Sequence, residues 1–514
     1  MEYDSIIIGS GMGGLTTAAA LVLCGERVLV LEQHDRLGGY IHSFARKKWH
    51  WNIGTHYLGR RRPGDAVDNL FRILTQNSIE MEPLGAQNDV LTFPGETVEI
   101  PAGIDEIQQL LCDKFPDEAR QIRRFYGLVD RIGSQTVLFV IPHLIPIAIS
   151  NIAFRLLALP FNKYRNKTIK QVVDEMFSNG ELKKFLYYQS TKAGVNPKTT
   201  SFLFFCLVNG SLKLGGCYPT GGGDSIVNAL ADLIRSKGGK LQTRSEVTKI
   251  VVSNGAASGV LLADGTKISA ENIVSNIGIK ETITHLIDPR FLPRRYLDRL
   301  SRYTQSDSYL TLFVGLEGNI TEVGAGPQNY RIFFNEPLSD PGDPTDENWK
   351  PSAVAIVFQS LRDKKKRSGT IHTCEVMVPM AYNPFSLWAH GRPNHRGDEY
   401  KAFKERTEKK LLKVLTDQFP GIDAYIKHLE LGTPVTYEHY CHHESGACLG
   451  MSVTPEKFND MSIRPASPIK GLFYTGADVF GFGITGTFIS GISTASKITG
   501  RNLFRRPPGP DGTH

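Results

Sequence analysis

Cysteine is scarce in this chain. Seven residues, Cys24, Cys112, Cys206, Cys217, Cys374, Cys441 and Cys448, are scattered through 514. Their odd number and wide spacing exclude a disulfide-built scaffold and point to a reducing compartment. Internal repeats and low-complexity tracts are absent, which excludes solenoid and collagenous architectures. No basic stripe interleaved with aromatics occurs, so no nucleic acid partner is expected. The net charge of +7 favours anionic surfaces instead, lipid headgroups among them. No apolar run reaches the roughly 20 clean residues of a spanning helix. No signal peptide pattern is seen, because Met1-Glu2 leads straight into the first strand pattern, and a location on the cytoplasmic side is expected. What is present is a globular balance, 41% hydrophobic and 22% charged, over a length that suits two or three domains.

The first forty residues carry the strongest pattern. Tyr3 to Ile8 is a short apolar run fit for a buried parallel strand. Gly9-Ser10-Gly11-Met12-Gly13-Gly14 supplies G-x-G-x-x-G spacing at its end, and Leu15 to Cys24 follows as an Ala-rich helix. Arg27 to Leu31 is a second strand that ends on Glu32, 18 positions after Gly14. Gly9 permits the tight turn, Gly11 lets backbone approach a pyrophosphate, and Gly14 lets helix pack on strand. Glu32 is placed to accept a bond from the ribose of an adenosine. Gln33 to Gly39 then brings Arg36 with Gly38-Gly39, a second backbone approach to the phosphates with a cation beside it. That extension resembles glutathione-reductase-like FAD proteins rather than nicotinamide dehydrogenases.

The C-terminal block answers the N-terminal one. Gly471 to Asp478 reads as a strand and a glycine turn ending on an acid. Gly481-Phe482-Gly483-Ile484-Thr485-Gly486 opens a small-residue helix out to Thr499. Its spacing is again G-x-G-x-x-G, but no acid near twenty residues on and no second strand follow, so a second dinucleotide site is rejected. Asp478 is instead suited to the ribityl hydroxyls, and the helix N-terminus to the N1 and O2 edge of a flavin, where its dipole stabilises negative charge on the reduced ring.

Between these blocks, Val137 to Pro160 is apolar but interrupted by Pro142, His143, Pro146, Asn151 and Arg155, with Lys163, Arg165, Lys167 and Lys170 after it. The pattern predicts a helical patch that dips into one leaflet with cations at the headgroups; the other reading is a buried helix pair. Tyr218 to Gly223 is a turn cluster, and Ser225 to Ser236 an amphipathic helix stopped by Gly238-Gly239. Lys240 to Val252 is a strand region, and Gly259–Leu262 with Thr266–Ile268 a hairpin about Asp264-Gly265. Ser308–Leu316, Ser352–Phe358 and Thr370–Pro379 predict an antiparallel sheet, with Lys364 to Arg367 at a solvated hairpin tip. Tyr400 to Phe419 is a charged amphipathic helix, and Arg505 onward a disordered tail. Asp224 and Glu246 read as capping or solvated residues.

The chain resembles the phytoene desaturase, carotenoid isomerase and retinol saturase group of FAD-dependent oxidoreductases, most of all its retinol saturases, over nearly its whole length. The carriers are Val30-Leu31-Glu32-Gln33-His34 with Leu37-Gly38-Gly39, Gly54 to Gly59 (Gly-Thr-His-Tyr-Leu-Gly), Gly215 to Gly222, and Thr475 to Asp478. The chain departs from the group at Trp51-Asn52-Ile53-Gly54, where Asp usually stands for Asn, and at Gly446 to Gly450, which lacks a tyrosine before the last glycine. The resemblance implies an α/β fold: a Rossmann FAD domain with a discontinuous α+β substrate domain of antiparallel sheet and helices. The expected FAD domain is 1–65, 218–290 and 455–504; the substrate domain is 66–217 and 291–454, with 130–170 as the membrane patch. The implied cofactor set is Gly9, Gly11, Met12, Gly13, Gly14, Glu32, Gln33, Arg36, Gly38 and Gly39, with Val247 at the adenine and Asp478, Gly483, Ile484 and Thr485 at the ring. NAD(P)H or another external reductant is the further cofactor expectation.

The implied substrate is a lipophilic polyene, isoprenoid or acyl chain drawn from a membrane surface. Such a molecule offers no group for acid–base activation, so the flavin must carry the chemistry. Saturation, desaturation and isomerisation are all open at this point, with saturation ranked first. His56 and Tyr57 are the candidates for shaping the flavin face or relaying a proton. Cys441-His442-His443 with Cys448 matches no zinc spacing, so no metal is expected, and a loop lining the substrate tunnel is the preferred reading. The rivals are a flavin amine oxidase, although no aromatic cage pair is found near Gly481 to Gly486, and a flavin-binding lipid carrier without turnover.

Overall fold

Tyr3–Ile8 lies in the middle of a seven-stranded sheet. In the computed structural model, which describes residues 2–60, 64–191, 194–335, 340–389, 391 and 395–509, this strand is flanked in parallel by Val28–Leu31 and by the far end of Lys267–Ser275. Lys240–Gln242 extends one side and Leu472–Tyr474 pairs parallel with Lys267–Ser275 on the other, with Ile273 opposite both Ile6 and Leu472. The start, middle and end of the chain thus meet in one sheet. The near half of Lys267–Ser275 turns back antiparallel on Ala256–Leu262, which pairs with Val247–Ser253. Ile6, Ile7, Val30 and Val274 are fully buried, as parallel strands covered on both faces require.

Helix Met12–Leu23 is buried at every residue. It packs against helix Gly483–Thr499 closely because the contact is made of small residues. A Cβ on Gly491 would stand 2.8 Å from Gly13 O and 2.7 Å from Thr16 Cβ. Thr17 Oγ1 donates to Gly13 O at 2.8 Å within its own helix and lies 3.3 Å from Gly491 O across the contact.

A second seven-stranded sheet is built in the order Ile426–Gly432, Ser308–Glu317, Ile371–Met380, Ala353–Val357, Asn329–Phe333, Gln87–Phe93, Glu96–Pro101. It is not wholly antiparallel as expected: Asn329–Phe333 runs parallel to Gln87–Phe93, with Tyr330 opposite Val90. That pair joins segments more than two hundred residues apart, so no local turn signal announces it. Helices between Ile104 and Ser211 form a third layer, in which Ala119–Gly133 and Phe202–Ser211 touch backbone to backbone; a Cβ on Gly133 would be 2.7 Å from Gly210 Cα. Leu58–Gly59, Gly216–Pro219 and Met81–Pro83 form a small antiparallel sheet with Gly216–Pro219 at its centre.

Other expectations change in detail. The strand region 240–252 is two strands separated by a turn, with Arg244 left-handed at φ 52°. Lys364 to Arg367 lies, as expected, on the exposed connection between the antiparallel strands Ala353–Val357 and Ile371–Met380, but that connection also holds the short helix Gln359–Arg362, and Lys364 and Arg367 pair with Glu80 and Glu82 at 2.7 and 3.3 Å. Asp224 neither caps nor faces water alone, since it accepts the Ser43 N–H at 2.9 Å. The first residues of the expected disordered tail, 505–509, are placed, with Pro508 buried; 510–514 lie outside the described residues.

Candidate active site

The glycine turn behaves as its spacing demands. Gly9 is left-handed at φ 89°, and a Cβ on Gly14 would fall 2.2 Å from Gly9 O. A Cβ on Gly13 would meet Gly476 N at 2.7 Å, so the first turn of the N-terminal helix lies against the C-terminal strand's glycine turn. Gly11 forms an isolated parallel bridge with Gly38, which lays the Arg36 to Gly39 loop across the G-x-G turn. Arg36 donates to Ser43 O at 3.2 Å at the edge of the site.

Glu32 is held before any ligand arrives. Its Oε2 accepts the Ser10 N–H at 2.9 Å and the Ser10 hydroxyl at 2.6 Å, and its Oε1 accepts the His34 N–H at 2.9 Å. The Ser10 hydroxyl also accepts the Gly38 N–H at 3.1 Å. One hydroxyl therefore couples Glu32 to the second glycine pair. A carboxylate offers about four lone-pair positions, so Glu32 keeps acceptor capacity toward the cavity that it lines. Ser245 N–H donates to Glu32 O at 2.8 Å and sets Val247 against the same end.

Asp478 is a junction as well as a lining residue. Its Oδ2 accepts the Ile279 N–H and its Oδ1 the Met451 N–H, both at 2.8 Å. Gly483, Ile484 and Thr485 open the C-terminal helix onto the cavity, and no atom lies within 4 Å of where a Gly483 Cβ would sit. Met12, Gly13, Gln33 and Gly39 line the cavity too, whereas Gly14 stands behind the turn.

The glycine turn, Glu32, Asp478 and the Gly483–Thr485 opening border one cavity of about 1010 Å³ that runs on between the two large sheets. Its far walls include Val140, Phe204, Leu207, Phe333, Val354, Met377 and Leu449, with Tyr309, Arg331 and Tyr437 among them. His56 and Tyr57 line it. Burial, then the Arg362 and Arg331 charges, lower His56 to about 3, so its ring is neutral. Burial, then the Asp89 charge, raise the Tyr57 phenol above its ordinary range, which keeps its proton in place.

The donor set fits a flavin on the structure's own terms. A glycine turn closes to side chains, a poised acid stands at one end, and an uncrowded helix N-terminus of 17 residues stands at the other. Comparison with known proteins gives the class. Residues 12–340 match the model of the family described as flavin containing amine oxidoreductase. The chain belongs to that family.

This flavin oxidoreductase is 28% identical to all-trans-retinol 13,14-reductase of Danio rerio, over 98% of the chain and 87% of the relative. It is 24% identical to the chloroplastic prolycopene isomerase of Daucus carota, over 97% and 80%. Its fold is also that of cyclohexylamine oxidase from Brevibacterium oxydans, with a TM-score of 0.62 at 17% identity over 97% of this chain and 98% of that one.

The flavin oxidoreductase carries site residues that its sequence did not announce. Asn276 touches the glycine turn from the middle strand: its Nδ2 lies 3.4 Å from Gly9 O, and a Cβ on Gly11 would meet it at 2.8 Å. Its place directly after Ile273-Val274-Ser275 was the one available signal. Gln359 and Arg362 reach His56 from the short helix Gln359–Arg362 that follows the strand Ala353–Val357. The Gln359 carboxamide exchanges two hydrogen bonds with the Asn52 backbone, both 2.9 Å, and its Nε2 stands 3.5 Å from His56 Nδ1. Arg362 donates to His56 O at 2.8 Å. The loop of Cys441, His443 and Cys448 lines the cavity. Among the described residues no group of three or more His, Cys, Asp or Glu is placed to hold a metal ion.

Proposed function

We propose that the chain is an FAD-dependent enzyme that saturates a carbon–carbon double bond of a lipophilic polyene, a retinoid, carotenoid or other isoprenoid. The single observation that carries this reading is the continuity of the cavity: one space joins the glycine turn to a wall of Phe, Leu, Val and Met side chains. The near-full-length likeness to retinol 13,14-reductases and prolycopene isomerases supports the substrate class. Bound FAD in its reduced form would supply hydride from N5. The protein's part is to hold that ring at the Gly483–Thr485 turn, exclude water with the apolar wall, and bring His56 and Tyr57 to the polyene. An external reductant, NAD(P)H or another two-electron donor, would restore the flavin.

The polyene is taken to come from a membrane surface. Ile147, Ile149, Ile152, Leu156 and Leu159 stand exposed along helix Ile147–Leu157 and its exit, with Arg155 and Lys163 exposed beside them. The preceding helix, Thr136–Leu144, gives Val140 to the cavity wall, and Ser150 Oγ bonds Pro142 O at 2.6 Å across the break between the two. Among the described residues no helix is long and apolar enough to cross a bilayer. An apolar patch edged with cations suits contact with one leaflet.

Anaerobic incubation of the dithionite-reduced, FAD-loaded protein with a polyene panel, read by mass, tests the reading. A gain of two mass units with recolouring of the flavin is expected. A loss would mean desaturation, and unchanged mass with altered retention would mean isomerisation, the reading the prolycopene isomerase likeness favours second. No change with any polyene would return the amine oxidase and carrier readings.

A further inference from the structure

Glu375 sits on the strand Ile371–Met380, opposite Phe313 and Val357, and is fully buried. Neither carboxyl oxygen has a hydrogen-bond partner. Its Oε2 stands 3.6 Å from His56 Nδ1, and His56 lines the cavity. A buried carboxylate left without donors is costly, whereas a neutral acid is far less so. Burial accordingly raises Glu375 well above the carboxylate range, against the opposing charge of Arg362.

Nothing nearby supplies a reason of packing for an acid here. The strand positions around it carry Cys374 and Val376, both fully buried. Arg362 makes no hydrogen bond to it; its guanidinium donates to Pro327 O, His56 O and Asn329 Oδ1, each at 2.8 Å. The other groups that feel this pair are Arg331 beside His56, and Tyr218, Tyr437 and Cys374 beside Glu375. The phenols and the thiol are held neutral by burial. The orientation of His56 follows from Gln359. Its carboxamide is fixed by the pair of hydrogen bonds to the Asn52 backbone, so the amino group, not the oxygen, faces Nδ1. Nδ1 is thus an acceptor, and the ring's proton is on Nε2.

We propose that Glu375 is the buried acid that supplies, through His56, the proton delivered to the substrate when hydride is added to the neighbouring carbon. The role rests on the saturation reading above. The π bond breaks, and one new C–H bond forms with the hydride pair of the reduced flavin. The second C–H bond forms with the proton from His56 Nε2, while the Glu375 O–H bond breaks and Nδ1–H forms. The imidazole stays neutral and Glu375 becomes a carboxylate; Nε2 then takes a proton from water in the cavity while Nδ1 returns its own to Glu375, which restores the starting tautomer. The external reductant returns the two electrons. An imidazole whose protonated form is disfavoured would be a poor acid alone; an acid behind it removes the need for imidazolium.

The test uses the full FAD-loaded chain and its Glu375→Gln variant, with Glu375→Met as a second variant of similar volume. Infrared difference spectra between wild type and variant, without substrate, are expected to show a protonated carboxyl band at pH about 7. In anaerobic single turnovers with all-trans-retinol, both variants should form the dihydro product about 100-fold or more slowly. The slowed step should lose the solvent deuterium isotope effect of wild type, with flavin content and dithionite reduction unchanged. Absence of the carboxyl band overturns the proposal. So does saturation by Glu375→Gln at the wild-type rate, which leaves the saturation reading standing. Failure of wild type to add two mass units refutes that reading, and this role with it.

Discussion

His443 Nδ1 stands 3.4 Å from Glu281 Oε1, joining the cavity loop to the helix that follows the nucleotide sheet. Burial disfavours the charged imidazole, but the Glu281 hydrogen bond and charge outweigh it and hold His443 above its ordinary value. Burial likewise opposes the charge on Glu281, and the His443 bond outweighs it in turn, so the carboxyl stays below its usual range. A histidine with a raised folded value contributes stability that is complete below the unfolded value near 6.5 and is lost as pH rises through the folded value. His443→Asn should therefore cost about 1–2 kcal/mol at pH near 5.5. The gap in Tm to wild type should narrow as pH rises beyond the shifted value of His443. A pH series of thermal melts checks this; a gap that widens with pH would contradict it.

On the reading proposed above, Glu32 and Gly14 would serve the cofactor by different means. Glu32→Ala removes the acceptor that Ser10 and His34 hold in place, and FAD affinity should fall about 10–100-fold, by fluorescence titration of the apoprotein. Gly14→Ala forces the turn apart at Gly9 O. It should yield protein without bound flavin colour, visible in the absorbance ratio of the purified chain.

Arg331 Nε lies 3.6 Å from Asp89 Oδ1, with Asp89 fully buried and the Arg331 side chain 14% exposed. Removing one partner of such a pair costs about 3–5 kcal/mol, because the other charge is left in low dielectric. Arg331→Met should lower chemical-denaturation stability by that order, and adding Asp89→Asn should recover part of the loss. Equal losses in single and double variants would show that the pair is not coupled.

Ile152 and Leu156 are each 60% exposed. Ile152→Glu with Leu156→Glu should leave Tm unchanged and weaken co-sedimentation with anionic vesicles at least about tenfold. Unaltered vesicle binding would move the contact elsewhere.

The cofactor turn was legible because its constraints are local. Gly9, Gly11 and Gly14 are required by backbone contacts inside one strand–turn–helix unit, and Glu32 follows on the next strand. His56 and Tyr57 could be singled out by resemblance, and the cavity does contain them. Glu375 could not. It reads as one acid within a run of strand residues, and its meeting with His56 crosses more than three hundred residues. Gln359 and Arg362 were hidden similarly, in a four-residue helix with no periodicity to mark it. The parallel pairing of Asn329–Phe333 with Gln87–Phe93 escaped for the same reason, since long-range register leaves no trace in either segment alone.

From its order of residues alone, this chain had to form a dinucleotide turn, because only glycine tolerates the φ of Gly9 and the closeness of Gly14 to Gly9 O. Its apolar strands likewise had to be covered on both faces. The folded molecule alone settled which acid lies behind His56, which amide orients that ring, and how the nucleotide cleft opens into an apolar cavity. Those relations depend on distances between strands of different sheets, and no spacing along the chain encodes them.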